Sequence, residues 1–152
     1  MAKQKLTFKE AVQATPDVQN GYQKGLLALG QYAAKISAKD TSLLDGSVDI
    51  DTCTTKKYPL GNRWDYALSY NQKVYFVEVH SANTSEVSTM LKKLQWLKDW
   101  LNQKAPEINL LPKMQPAYYW IQSGNFNILK ESSQYRQIVQ AKLKPRPSLT
   151  LQ

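Results

Sequence analysis

Three residues in the middle of the chain, Asp65, Glu78 and His80, have types and spacing that suit metal-dependent chemistry. Glu78 and His80 are two residues apart on one predicted strand, so their side chains share a face. Asp65 begins the preceding predicted strand, and the short connection Asn71-Gln72-Lys73 makes the two strands antiparallel neighbours. We therefore expect Asp65 and His80 to be cross-strand neighbours within about two residues of register.

Two carboxylates held this close predict a divalent cation between them, because like charges repel unless a cation separates them. Mg²⁺ or Mn²⁺ accepts oxygen ligands from two acidic side chains and a main-chain carbonyl while it keeps several water molecules. Such an ion can activate water and stabilise the charge that grows on a phosphate during hydrolysis. Phosphate-ester hydrolysis is thus the chemistry that this pair suggests.

Hydrophobic periodicity predicts the elements that position these residues. In chain order they are a short helix that begins at the capping box Thr7–Glu10, a helix over 16–36, strands over 46–53, 63–70 and 74–80, a helix over 83–103, a strand over 117–122, a turn at 123–125, a short strand over 126–129 and a helix over 135–143. The order α-β-β-β-α-β-α predicts an α/β fold. We expect one domain over 1–144 and a loose C-terminal tail over 145–152.

The segments around the two acids resemble the PD-(D/E)XK nuclease superfamily, which has the restriction-endonuclease-like fold. The resemblance lies in Gly46–Asp51, Arg63–Leu68 and Val74–His80. In that superfamily an Asp at the start of one strand and a Glu-x-Lys on the next form the catalytic site within an αβββαβ core. The predicted elements follow this order from Thr7 to Gln122, so the resemblance implies a mixed central sheet flanked by helices.

The resemblance also implies a function and roles for the site residues. It makes Asp65 and Glu78 the ligands of Mg²⁺ or Mn²⁺, with the main-chain carbonyl of Val79 as a third ligand. The implied activity is that of a metal-dependent endonuclease or exonuclease that acts on DNA or RNA. Some members add an early glutamate from a helix, and Glu10 is the candidate here, although its capping box accounts for it without chemistry.

His80 departs from the family pattern, because it stands where the family has a lysine. A lysine is a fixed cation, whereas an unperturbed histidine is mostly neutral at pH 7. His80 could act as a general base or as a ligand, or Lys92 or Lys93 on the following helix could take the place of the missing lysine. A further alternative is a catalytically inactive protein with this fold that serves as a nucleic-acid-binding or assembly module.

The charge of the chain favours an anionic partner such as nucleic acid. The formal net charge is +8 and the isoelectric point is about 9.5. Residues 1–9 carry three lysines and no acid, and residues 130–152 carry five basic residues and one acid. The middle of the chain is nearly balanced, so we expect the two ends to contact phosphate groups.

Other residue types narrow the function classes. The single Cys53 and the single His80 exclude zinc modules and internal disulfides. No apolar run approaches the roughly 18 residues of a spanning helix, so we expect a cytoplasmic protein without membrane contact. Cys53 is interpreted as a buried hydrophobe, and Asp49 and Asp51 as solvated residues on the outer face of the first strand.

Trp96 and Trp100 lie four residues apart beside the apolar stripe of the helix over 83–103. Exposed indoles at this place would suit a protein partner. The sequence therefore leaves two possibilities for this helix, contact with another protein or a homodimer.

Overall fold

Residues 5–152, which the computed structural model describes, fold around strands that are rich in β-branched and aromatic side chains. The helices and strands, in chain order, are α1 (Phe8–Gln13), β1 (Tyr22–Gln23), β2 (Ile36–Ala38), β3 (Leu44–Asp49), α2 (Ile50–Thr54), β4 (Tyr66–Tyr70), β5 (Lys73–Asn83), α3 (Val87–Gln103), α4 (Pro106–Asn109), β6 (Lys113–Asn127), α5 (Ser133–Gln140) and β7 (Leu149–Leu151). Short 3₁₀ segments lie at 16–18, 27–35, 41–43 and 84–86.

Five strands form the main sheet in the order β1-β3-β4-β5-β6. All neighbours are antiparallel except β5 and β6, which are parallel and are joined through α3. A tight turn joins β4 to β5, and its residues Asn71 and Gln72 have φ values of 50° and 63°, the left-handed region that such hairpins use. The predicted hairpin and the mixed α/β architecture with helices against the sheet are confirmed.

The two faces of the sheet have different partners. Phe76 and its neighbours on one face pack against α1, α3, α4 and α5. Tyr75 and Val77 on the other face pack against the segment 27–35 and a small two-stranded sheet of β2 and β7. Because side chains alternate along β5, Glu78 shares the face of Phe76 and points towards the helices.

The predicted helix over 16–36 is wrong. The chain instead forms a 3₁₀ turn, the short strand β1 and a 3₁₀ segment over 27–35. Gly25 and Gly30 have φ values of 51° and 55°, which a continuous right-handed helix does not allow. The apolar spacing of this segment therefore reflects its packing against the sheet.

The predicted first strand ends early, since β3 stops at Asp49 and α2 begins at Ile50. The side chain of Asp49 caps α2 by accepting a 2.9 Å hydrogen bond from the amide of Thr52. Asp51 lies on α2 and forms an ion pair with Arg63. The predicted strand position of Asp51 is therefore wrong, whereas Asp49 does end β3 and the side chain of Asp51 is 41% exposed.

The C-terminal part of the chain is more ordered than the sequence indicates. The stretch over 113–127 is one strand. Its pairing with β5 is interrupted between the pairs His80–Gln122 and Ala82–Phe126, so residues 123–125 form an irregularity within β6 where the sequence predicts a turn between two strands. The predicted loose tail is wrong: β7 pairs in parallel with β2, and Leu149 and Leu151 are buried. Two leucines at alternate positions reach the same apolar face, which explains why this segment packs.

The tryptophans of α3 do not form an exposed face. Trp100 is buried, and its indole nitrogen donates a 3.0 Å hydrogen bond to Asp17. Trp96 stacks on Trp100 with ring centroids 5.8 Å apart and contacts Tyr58 edge-on. The exposed indoles on which the expected protein contact or homodimer depends are therefore absent from α3. Within residues 5–152, no helix is long and apolar enough to cross a lipid bilayer.

Replacement of Leu151 by alanine tests whether β7 is part of the folded structure. We expect Leu151→Ala to lower the free energy of unfolding by about 2–4 kcal/mol, because it removes a fully buried side chain. Thr150 is the exposed neighbour on the same strand, and Thr150→Ala should cost less than about 1 kcal/mol. Urea denaturation followed by tryptophan fluorescence measures both values, and equal effects would show that β7 does not pack in solution.

Candidate active site

Asp65 and Glu78 meet where β4 and β5 separate. The last paired residues are Tyr66 and Val77, so Asp65 faces Glu78 one step beyond the ladder. The amide of Asp65 donates a 2.9 Å hydrogen bond to Glu78 Oε1, and the amide of Val79 donates a 3.0 Å hydrogen bond to Asp65 Oδ2. Each carboxylate thus accepts a main-chain amide from the opposite strand and replaces the ladder at this point.

This exchange explains why β4 is shorter than predicted. The expected strand over 63–70 forms regular pairs only from Tyr66 onwards. The cross-strand proximity of Asp65 to Glu78 and His80, which the hairpin register predicts, is confirmed.

Burial and the charge of neighbouring acids raise the pKa of both carboxyl groups. Glu78 is fully buried, and burial together with the charge of Asp65 raises the pKa of Glu78 to about 8, although Lys93 opposes the shift. Burial also raises the pKa of Asp65, while Lys93 and the amide of Val79 oppose that change. Asp65 therefore acts on Glu78, and neither group has the pKa of a surface carboxyl group.

Lys93 supplies the positive charge of the site. Its Nζ lies 2.8 Å from Glu78 Oε2 and donates a 3.0 Å hydrogen bond to the main-chain carbonyl of Arg63. The side chain of Lys93 is 16% exposed, whereas Lys92 faces solvent. Of the two lysines that the sequence offers, Lys93 is the one that reaches the acids.

His80 lies beside the acids but makes no hydrogen bond with them. Its Nδ1 is 3.7 Å from Glu78 Oε2, and its Nε2 is 3.6 Å from Glu86 Oε2, both longer than a hydrogen bond. The main-chain carbonyl of His80 accepts a 3.1 Å hydrogen bond from the indole of Trp120. His80 is therefore held at the margin of the site by its backbone.

Glu10 does not take part in this arrangement. The amide of Thr7 donates a 2.9 Å hydrogen bond to Glu10 Oε1, and the amide of Glu10 donates to Thr7 Oγ1 at 3.1 Å. This reciprocal pair is the predicted capping box and accounts for the glutamate.

The residues present fit a hard divalent cation with few protein ligands. Glu78 Oε2 is buried, and apart from the ion pair with Lys93 it has no hydrogen-bond partner among residues 5–152. That part of the chain contains no cluster of three acidic, histidine or cysteine side chains around one point. Mg²⁺ commonly uses one or two protein carboxylates and completes its shell with water, so the types of Asp65 and Glu78 match the ligands of such an ion.

Sequence reasoning missed the part that Arg63 plays in this site. Its carbonyl fixes Lys93, and its guanidinium contacts Asp51 and the loop before it. The available signal was its position two residues before Asp65, in a chain with only three arginines.

Comparison with known proteins adds no homologue to this picture. No protein-family model, no curated protein and no solved structure matches the chain. The chemistry of the site therefore has to be inferred from its side chains.

Replacement of Glu78 by glutamine should weaken the pH dependence of stability between pH 4.5 and 8. A pKa of about 8 in the folded protein, against the ordinary 4.5, means that the folded protein keeps a proton which the unfolded chain releases. The free energy of unfolding of the wild type should therefore fall as the pH rises through this window, and Glu78→Gln removes this fall.

Urea unfolding at pH values below, within and above that window measures the effect. The matched control is Glu131→Gln, which removes an exposed carboxylate and should leave the slope of the wild type unchanged. Parallel pH profiles for the wild type and Glu78→Gln would contradict a raised pKa at Glu78.

Proposed function

We propose that the protein is a metal-dependent phosphodiesterase that hydrolyses DNA or RNA at the site of Asp65 and Glu78. The proposal includes a restriction-endonuclease-like core made of α1, β3, β4, β5, α3 and β6. Its support is the order of these elements, with one acid just before β4 and the other within β5. The antiparallel run β3-β4-β5 and the parallel β6 are consistent with that core.

A single observation carries the proposal: two carboxylates, both with a pKa raised by burial, lie with one ammonium at the point where β4 and β5 separate. A structural ion pair needs one carboxylate and one cation, whereas this site buries a second acid against the first. Strongly perturbed neighbouring acids are typical of functional sites. When Glu78 loses its proton, two carboxylates lie beside one ammonium, and a divalent cation would neutralise this excess negative charge.

Asp65 and Glu78 are the residues that would hold Mg²⁺ or Mn²⁺. When bound, such an ion supplies an activated water molecule and stabilises negative charge on the phosphate. Asp65 and Glu78 are oriented for this role by the amides that they accept from the opposite strand. Because β4 and β5 stop pairing after Tyr66 and Val77, no ladder hydrogen bonds join the two strands at the position of the carboxyl groups.

In this proposal Lys93 has the role of the catalytic lysine that the superfamily places at the position of His80. Lysine carries a positive charge at neutral pH, while histidine is largely neutral. In this chain the cation reaches Glu78 from α3, and His80 stands 3.7 Å from the same carboxylate oxygen. Lys93 would steady negative charge on the phosphate, and His80 is close enough to receive a proton through one water molecule.

Removal of either acid should abolish nucleic-acid cleavage. We expect Asp65→Asn and Glu78→Gln to lower the cleavage rate at least about 100-fold, because even residues that only support metal ligands contribute 10- to 100-fold. Lys93→Met should lower the rate as well, since it removes the cation beside Glu78. The assay uses plasmid DNA, single-stranded DNA and RNA with Mg²⁺ or Mn²⁺, and a chelator should stop the reaction.

Asp99→Asn provides the matched control, because Asp99 is an exposed carboxylate on α3 and its loss should leave cleavage unchanged. Each variant is checked for its melting temperature before the rates are compared. Cleavage that persists in Asp65→Asn, or that continues in the presence of chelator, would contradict the proposed site.

The second candidate is a nuclease-fold protein without catalysis that binds nucleic acid or acts in assembly. The observation that favours it is the 2.8 Å ion pair between Lys93 and Glu78, which partly neutralises the site without a metal. This candidate predicts salt-dependent nucleic-acid binding that survives Asp65→Asn, with no turnover in either metal. Turnover by the wild type would eliminate it.

A further inference from the structure

The short segment 63–65 carries the backbone groups on which the candidate site is built. The carbonyl of Arg63 accepts a hydrogen bond from Lys93 Nζ, and the amide of Asp65 donates to Glu78. The carbonyl of Asp65 accepts the first two amides of α2 at 2.8 and 3.3 Å. A shift of this segment would therefore move the acid and the acceptor of the ammonium together.

The side chain of Arg63 ties this segment to its surroundings. Its Nε lies 2.7 Å from Asp51 Oδ1, and one terminal nitrogen donates a 2.6 Å hydrogen bond to the carbonyl of Tyr58 and a 3.4 Å bond to that of Gly61. The Arg63 side chain is only 17% exposed. Because Asp51 belongs to α2, the guanidinium connects α2, the loop over 55–62 and its own backbone.

We infer that Arg63, through its ion pair with Asp51, is a positioning residue that holds the ammonium of Lys93 in place beside Glu78. The inference rests on the proposed function in so far as Lys93 serves catalysis. Lys93 has a long, flexible side chain and two fixed acceptors, Glu78 Oε2 and the carbonyl of Arg63. The carboxylate alone leaves the ammonium free to rotate about it, while the second acceptor fixes its direction.

The position of that second acceptor depends on the Arg63 side chain. The peptide between Arg63 and Trp64 lies outside β4, so ladder hydrogen bonds do not hold it. The buried indole of Trp64 holds one side of this peptide, and the contacts of the guanidinium with Asp51 and with the loop carbonyls hold the Arg63 side. Loss of the guanidinium should let the carbonyl of residue 63 rotate, and Lys93 Nζ should then lose its hydrogen bond to this carbonyl while it keeps its contact with Glu78.

The ammonium group of Lys93 can be observed directly in the metal-free full chain by ¹H–¹⁵N NMR of lysine side chains, with Lys93→Gln to assign its signal. The wild type should show a resolved Lys93 signal, because hydrogen-bonded ammonium protons exchange slowly. Arg63→Gln and Asp51→Ala should abolish this signal, because each removes the contact between the two side chains, and Arg63→Lys should retain it in part. Lys56→Gln removes one exposed cation from the same loop and should leave the signal unchanged.

The outcome is read only for variants whose melting temperature and circular dichroism show that they are folded, and two independent substitutions guard against a loss of fold in one of them. A Lys93 signal that persists in either folded variant would overturn the inference. Absence of the signal in the wild type would overturn it too, because the ammonium would then not be held.

A kinetic measurement separates this inference from the proposed function. With nucleic acid and Mn²⁺, Arg63→Gln should lower kcat by about 10- to 100-fold, as expected for a misplaced catalytic group, and should change KM by less than about twofold. An altered KM with unchanged kcat would contradict a positioning role. If the wild type cleaves nothing, the proposed function fails, while the NMR measurement still decides whether Arg63 positions Lys93.

Discussion

The buried carboxylate of Glu78 is the constraint on which the rest of the structure depends. An acid inside a central strand loses its hydration, and this loss costs several kcal/mol unless donors replace the water. The amide of Asp65 and the ammonium of Lys93 supply those donors. Each of them requires a separate feature of the fold: β4 must leave the ladder at Asp65, and α3 must cross the sheet with Lys93 on its inner edge.

These two requirements link the site to the core. On α3, Met90, Leu94 and Leu97 are buried against the sheet, and they set the rotation of the helix that brings Lys93 to Glu78. The side chain of Arg63 fixes the segment that leaves the ladder. The opposite face of the sheet packs against the segment 27–35 and β7, whereas Glu78 lies on the face that packs against the helices.

Sequence patterns predicted the elements whose signal is local. The turn between β4 and β5, the apolar strand around Glu78 and the stripe of α3 all follow from residue spacing within one element. The helix over 16–36 failed because apolar residues recur there at helical spacing although Gly25 and Gly30 turn the backbone the other way. The prediction of a loose tail failed because a three-residue strand is too short to show a periodicity. Leu149 and Leu151 are held by pairing with β2 and by burial of their side chains.

The sequence by itself determined that Asp65 and Glu78 would meet, because the tight hairpin leaves one register for the two strands. It left open which cation would join them, since Lys92 and Lys93 are adjacent and helical spacing alone does not say how a helix is rotated over a sheet. Only the tertiary structure shows that Lys93 is the one, because the buried face of α3 sets the rotation of the helix and the carbonyl of Arg63 binds the Lys93 ammonium. The reason is physical: register is set by covalent connection over a few residues, whereas the meeting of a helix, a loop and a strand is set by packing of segments distant in the chain.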